Sequence, residues 1–160
     1  KIAIILQNIL KVKVKKKKFS ILLEDFSNVV FKKVTKSKYI LGAKDFISKN
    51  YLDYDFHIST ATPNNEIIDI LKKKNILKYF KSINGSPESK EEHIKKIIIK
   101  GNYKKKEILF IGDSDNDYNA AKKNKIKFLG IINEFNNFKK IKYKFRNFVE
   151  IDNFLKKNLI

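Results

Sequence analysis

The chain has 160 residues, 42% of them hydrophobic, which is enough for the core of one domain, and a formal charge of +19 at pH 7. The absence of Cys excludes a disulfide framework and a thiolate metal site and fits a reducing, cytoplasmic setting. No apolar run approaches the roughly 18 residues of a membrane-spanning helix, so no membrane partner is expected. The charge invites a nucleic-acid reading. Yet Arg146 is the sole Arg among 36 basic residues, and the lysines are spread along the whole chain. Base-edge and bidentate phosphate recognition favours Arg. Salt-sensitive, non-specific attraction to polyanions is therefore expected, and no specific nucleic-acid partner. The chain opens on Lys1 and holds no Met, from which a longer parent protein is expected.

In chain order, Ile2, Ile5, Leu6, Ile9 and Leu10 recur at the helical period and predict an amphipathic helix over 1–10. Lys11 to Lys18 reads as a solvated basic connector. Leu22, Leu23, Phe26, Val29 and Val30 carry a helical rhythm through 19–34, and Gly42 breaks the chain before a short helix over 43–48. The character changes at Tyr54. Phe56-His57-Ile58-Ser59 reads as a strand. Thr62-Pro63 predicts a helix start, with Thr as N-cap and Pro at the first helical position, and Ile67, Ile68, Ile70 and Leu71 continue it. Ser82-Ile83-Asn84 is a short strand and Gly85-Ser86-Pro87 a turn. Ser89-Lys90-Glu91-Glu92 is a capping box opening a helix with Ile94, Ile97 and Ile98 on one face. A strand over 108–111, a helix over 115–124 and a strand over 128–132 follow. Phe148, Ile151, Phe154, Leu155 and Leu159 mark a last amphipathic helix. Strands alternating with helices from 54 to 132 predict βαβ units and a parallel sheet. Ligands of such sheets bind at the carboxyl ends of the strands.

Three polar features stand just past predicted strand ends: Thr60, Lys90 and Asp113, the last followed four residues on by Asp117. A hydroxyl can donate to a phosphoryl oxygen, an ammonium can neutralise charge that builds in transfer, and a carboxylate can place Mg²⁺. Each residue also has a simpler reading. Ser114-Asp115-Asn116-Asp117 is itself a capping box, so Asp117 could cap a helix and Asp113 could serve a turn. Asp115 reads as solvated, or as a replacement for Asp117. Neither His has a carboxylate or second His at ligand spacing; His57 reads as core or strand edge and His93 as surface.

Taken together, the stretch from about 40 to 132 resembles the haloacid dehalogenase superfamily, Rossmann-like phosphatases with an Asp nucleophile. Ile58-Ser59-Thr60-Ala61-Thr62-Pro63 is similar to the family's second motif, Gly85-Ser86-Pro87-Glu88-Ser89-Lys90 to the third, and Ile111-Gly112-Asp113-Ser114-Asp115-Asn116-Asp117 to the fourth. The intervals suit it: Thr60 and Lys90 are 30 residues apart, Lys90 and Asp113 23 apart. The resemblance implies an α/β fold with a Rossmann-like three-layer parallel sheet (39–160) and a partial helical cap at the N-terminus (1–38). It is nearest the phosphoglycolate-phosphatase-like subgroup. It implies Thr60 and Lys90 as catalytic residues, Thr60, Ala61 and Lys90 as phosphate-binding residues, Asp113 and Asp117 at a Mg²⁺ ion, and a small phosphorylated metabolite as substrate. The family's first motif, a strand followed by Asp-x-Asp that supplies nucleophile and general acid, has no separate counterpart here. Ile2 to Leu6 leads into Gln7-Asn8, amides where carboxylates are needed, and Asp25 lies in a helical pattern. The nucleophile is therefore expected upstream of Lys1, and a chain without that central strand is expected to expose two strand edges and to fold poorly or associate. The alternatives are a catalytically inactive relic or binding module, and a non-specific polyanion binder.

Overall fold

The computed structural model describes residues 16–139 and 141–158; the helix expected over 1–10 lies outside them. The chain divides into two units between Ser37 and Lys38. The first contributes α1 (Lys16–Lys36). This helix takes in Lys16 to Lys18 of the expected connector, because Lys is a good helix former. No described helix is long and apolar enough to cross a membrane.

The second unit runs α2 (Ala43–Asn50), β1 (Phe56–Pro63), α3 (Asn64–Lys73), β2 (Phe80–Ser86), α4 (Lys90–Gly101), β3 (Leu109–Gly112), α5 (Asp115–Asn124), β4 (Lys127–Ile131), β5 (Lys144–Phe145) and α6 (Phe148–Asn158). Every described strand pairing is parallel, as the alternation requires: β1 with β2, β3 with β4, and β4 with β5.

The sheet layer is lined by alternating side chains. Phe110 of β3 and Phe128 of β4 face a cluster built on Ile94 of α4 and Ala120 and Ala121 of α5. Leu109 and Ile111 of β3, with Leu129 and Ile131 of β4, face Phe46 of α2 and Ile151 and Leu155 of α6. Phe56 of β1 packs into that second cluster. Two helical layers thus sandwich one layer of strands, a mixed α/β architecture. Within that layer the described strands form two sheets, β1-β2 and β3-β4-β5. Among the described residues the outer edge of β1 and the outer edge of β3 have no strand partner. The consequence is visible in burial: β4 is buried after its first residue, whereas all four residues of β3 are only half-buried.

Two expectations at β1 need correction. The strand does not stop at Ser59 but runs to Pro63, regaining its register with β2 at Pro63 and Ser86 after an irregularity. Thr62 is therefore in the strand and is not an N-cap. Pro63 occupies the cap position with extended backbone and no capping side chain. The reason lies at Gly85, whose amide donates to Asn64 Oδ1 at 3.1 Å and holds the chain extended to that point. The short strand β5 has no counterpart in the sequence pattern, because two residues carry too little of it.

Candidate active site

Lys90 is placed by the cap of α4. Ser89 Oγ accepts the Glu92 amide at 3.2 Å, and the Glu92 carboxylate accepts the Ser89 amide at 2.8 Å. This reciprocal box fixes where the helix starts and so where Lys90 leaves it. Lys90 Nζ donates to Asp117 Oδ1 at 2.5 Å. The side chain of Lys90 is 24% exposed and that of Asp117 only 4%. A carboxylate so buried needs partners on both oxygens, and Asp117 Oδ2 accepts from the Ser114 amide at 3.1 Å and the Ser114 hydroxyl at 2.6 Å. Asp117 thus caps α5 and neutralises Lys90 at once. Gly112 makes this possible: a Cβ there would lie 2.4 Å from Asp117 Cβ.

Thr60 sits in the irregular stretch of β1, half-buried. Its Oγ1 donates to Thr62 Oγ1 and accepts the Thr62 amide, both at 3.2 Å. The neighbouring Ala61 is exposed.

His93 corrects the surface assignment. It is 0% exposed. Its Nε2 lies 3.1 Å from the Gly85 carbonyl oxygen, which can only accept, so Nε2 carries the proton and Nδ1 accepts the Ser59 hydroxyl at 2.9 Å. One imidazole therefore ties three segments: Ser59 next to Thr60, Gly85 ahead of the Lys90 loop, and the first turn of α4. The signal was present in the sequence, because His93 precedes Ile97 by four residues and shares its helix face.

Asp113 follows β3 and is exposed. Among the described contacts it accepts only from Asn133 Nδ2, at 3.4 Å. Asn133, just past β4, also folds its own loop, its Oδ1 accepting the amides of Phe135 and Asn136 at 2.8 and 2.9 Å. Nothing in an Asn-rich stretch singles Asn133 out beforehand. Beside it opens a cleft of about 700 Å³ lined by Asp115, Tyr118, Asn119, Asn133, Phe135 and Asn136 among others.

The structure thus joins Lys90 to Asp117 directly, Asp117 to the Asp113 turn through Ser114, and Lys90's helix to the residue before Thr60 through His93. No described side-chain contact runs from Thr60 to Lys90 or Asp113. Among the described residues no three His, Cys, Asp or Glu side chains converge as a metal-holding group. One carboxylate with substrate oxygens and water is nevertheless a donor set that magnesium accepts, and Asp113 fits that part.

The chain belongs to the haloacid dehalogenase-like hydrolases: the model of that family matches residues 3–131. No curated protein matches the chain at a significant level. Among solved structures, a protein from Clostridium difficile provisionally assigned as a phosphatase superposes with a TM-score of 0.77 at 22% identity, covering 95% of this chain and 76% of its own. A predicted phosphoglycolate phosphatase from Haemophilus somnus 129PT gives a TM-score of 0.78 at 19% identity, covering 92% and 71%. A haloacid dehalogenase-like hydrolase from Streptococcus pneumoniae gives 0.73 at 18% identity, covering 94% and 76%. These likenesses establish the fold, Rossmann-like with parallel strands and flanking helices.

Proposed function

We propose that the protein is a cytoplasmic, Mg²⁺-dependent phosphatase that hydrolyses a small phosphomonoester through an aspartyl-phosphate. The observation that supports this best is the Lys90–Asp117 pair at 2.5 Å, because it holds an ammonium at the carboxyl end of β3, beside the Asp113 turn. In this reading the Thr60 hydroxyl and the Ala61 amide receive phosphoryl oxygens. Lys90 neutralises the charge that gathers on them in the transition state. Asp113 holds Mg²⁺, and Asp117 orients the group that works beside it. When bound, the ion polarises the phosphoryl oxygens.

The chemistry takes two displacements. A carboxylate oxygen attacks phosphorus while the ester P–O bond breaks and the leaving alkoxide takes a proton from a neighbouring acid. Water then attacks the phosphorus of the acyl phosphate, releasing inorganic phosphate and regenerating the carboxylate. We place the attacking carboxylate on a further strand that pairs with the open edges of β1 and β3 and ends in Asp-x-Asp at the same carboxyl end. A non-catalytic relic is the second reading, and one observation favours it: β3 is the only described strand followed by Asp-x-Asp.

The test is to supply the chain with an upstream strand ending in Asp-x-Asp and to assay aryl phosphate hydrolysis. Mg²⁺-dependent turnover is expected, lost when the first Asp becomes Asn and reduced by about 10²-fold or more in Lys90→Ala. No Mg²⁺-dependent hydrolysis across a panel of phosphomonoesters would leave the relic reading standing.

A further inference from the structure

A second polar cleft lies at the opposite end of β1 and β2. Paired residues His57 and Ser82 emerge side by side near the starts of the two strands. The last turn of α4 returns to this level and ends at Gly101, and Tyr103 folds back against the helix, its amide bonded to the Ile98 carbonyl at 3.2 Å. A Cβ at Gly101 would lie 2.0 Å from the Tyr103 ring, so a larger residue there would displace the ring. The half-open space is about 500 Å³, within the range of small-molecule sites, roughly 300–1,000 Å³.

The polar groups of the cleft form one directed relay. The Asn84 amide donates to the Ile58 carbonyl at 2.9 Å and to Ser82 Oγ at 3.1 Å. Ser82 Oγ lies 2.7 Å from His57 Nδ1. Tyr103 Oη, 3.3 Å from Nε2, gives its own proton to Asp55 and can only accept from the ring, so neutral His57 carries its proton on Nε2 and Nδ1 accepts the Ser82 hydroxyl. Tyr103 donates in turn to Asp55 Oδ2 at 2.5 Å, where Lys81 also donates at 2.7 Å. Asp55, the sole carboxylate lining the cleft, accepts both through the same oxygen. Three lysines, Lys81, Lys96 and Lys100, line the same space. Lys96 reaches Glu88, and Lys100 has no partner among the described contacts.

We propose that this cleft is a second anion site, which binds the phosphoryl group of a small phosphorylated metabolite through Lys96, Lys100 and the His57–Tyr103 edge, separate from the Thr60–Lys90 end of the strands. A phosphoryl group brings about two negative charges and three acceptor oxygens, which match the free Lys100 ammonium together with the Lys96 ammonium, drawn from its exposed partner Glu88, better than a single carboxylate does. Burial holds the His57 imidazole below its ordinary 6.5, so the ring enters neutral and gains a proton more readily once an anion sits beside it. Asp55 raises and Lys81 lowers that affinity, and Lys96, Lys100 and Tyr103 are the other titratable groups around the cleft.

The protein has two His, which makes their ring-proton NMR signals a direct readout. Inorganic phosphate and glucose 6-phosphate are titrated separately, each against chloride at equal ionic strength. The expected result is a saturable shift of the His57 signal and a rise in its titration midpoint. Affinity should fall about tenfold or more in the Lys96→Ala/Lys100→Ala double variant and persist in Lys90→Ala. The ester should bind at least as tightly as free phosphate; binding of inorganic phosphate alone would overturn the metabolite assignment. A His57 shift that chloride reproduces, or that survives the double lysine variant, would overturn the site itself, whatever the outcome at Lys90.

Discussion

At the scale of single residues, Asp117 carries the most consequence. It serves two partners, Lys90 through one oxygen and Ser114 through the other. Asp117→Asn keeps a capping acceptor but loses the charge that balances Lys90. Breaking a fully buried pair costs about 3–5 kcal/mol; Lys90 is partly exposed, so about 2 kcal/mol is expected here. Asp117→Ala should cost about 1 kcal/mol more, because the helix cap goes too. Urea unfolding of the two variants measures both: equal losses would show that the cap contributes nothing, and unchanged stability in Asp117→Asn would show that the Lys90 pair contributes nothing. Gly112→Ala should shift the start of α5 and mimic Asp117→Ala, since its Cβ would occupy the space of that side chain. His57 gives a pH signature. Its folded-state affinity for protons is below that of the unfolded chain, so the stability it contributes is complete above about pH 6.5 and is lost as pH falls through the lower folded value. His57→Gln should flatten that part of the stability curve. Asp55 also favours its charged form through Lys81 and Tyr103, but a lowered carboxylate loses its contribution only in more acid solution.

At the scale of elements, the capping boxes were legible and the polar interior was not. Ser89 and Ser114 begin α4 and α5 where the Ser-x-x-acid spacing places them, because a cap is a local contact readable over four residues. Thr62-Pro63 misled for the same local reason: the pairing that keeps the segment extended comes from Ser86 and Gly85, more than twenty residues away. The ion pair of Lys90 with Asp117 and the clamp of His93 on Ser59 span 27 and 34 residues. Sequence spacing placed Lys90 and Asp117 near one end of the sheet but could not show which groups touch. The edges of β1 and β3 carry their own prediction. Hydrogen exchange should be faster at Leu109–Gly112 than at Phe128–Ile131, since β3 is paired on one side and half-buried while β4 is paired on both and buried. Equal protection would mean that the β3 edge is covered.

Across the whole molecule, two features compete to explain what the protein binds. One is a charge of +19 spread over the chain, which acts on any polyanion and fades within a Debye length of about 8 Å at physiological salt. The other is the proposed phosphate site of Thr60, Lys90 and Asp113, which would act on one kind of group in one place. The family fold favours the second, and salt separates them: site-bound phosphate should survive ionic strength that releases nucleic acid. The decisive measurement is calorimetric titration of inorganic phosphate into the Lys96→Ala/Lys100→Ala variant, with and without Mg²⁺, before and after Asp113→Asn. Tighter binding with Mg²⁺, abolished by Asp113→Asn, is the outcome expected of a phosphoryl–magnesium site. Affinity indifferent to the ion, or unchanged by that substitution, would contradict it.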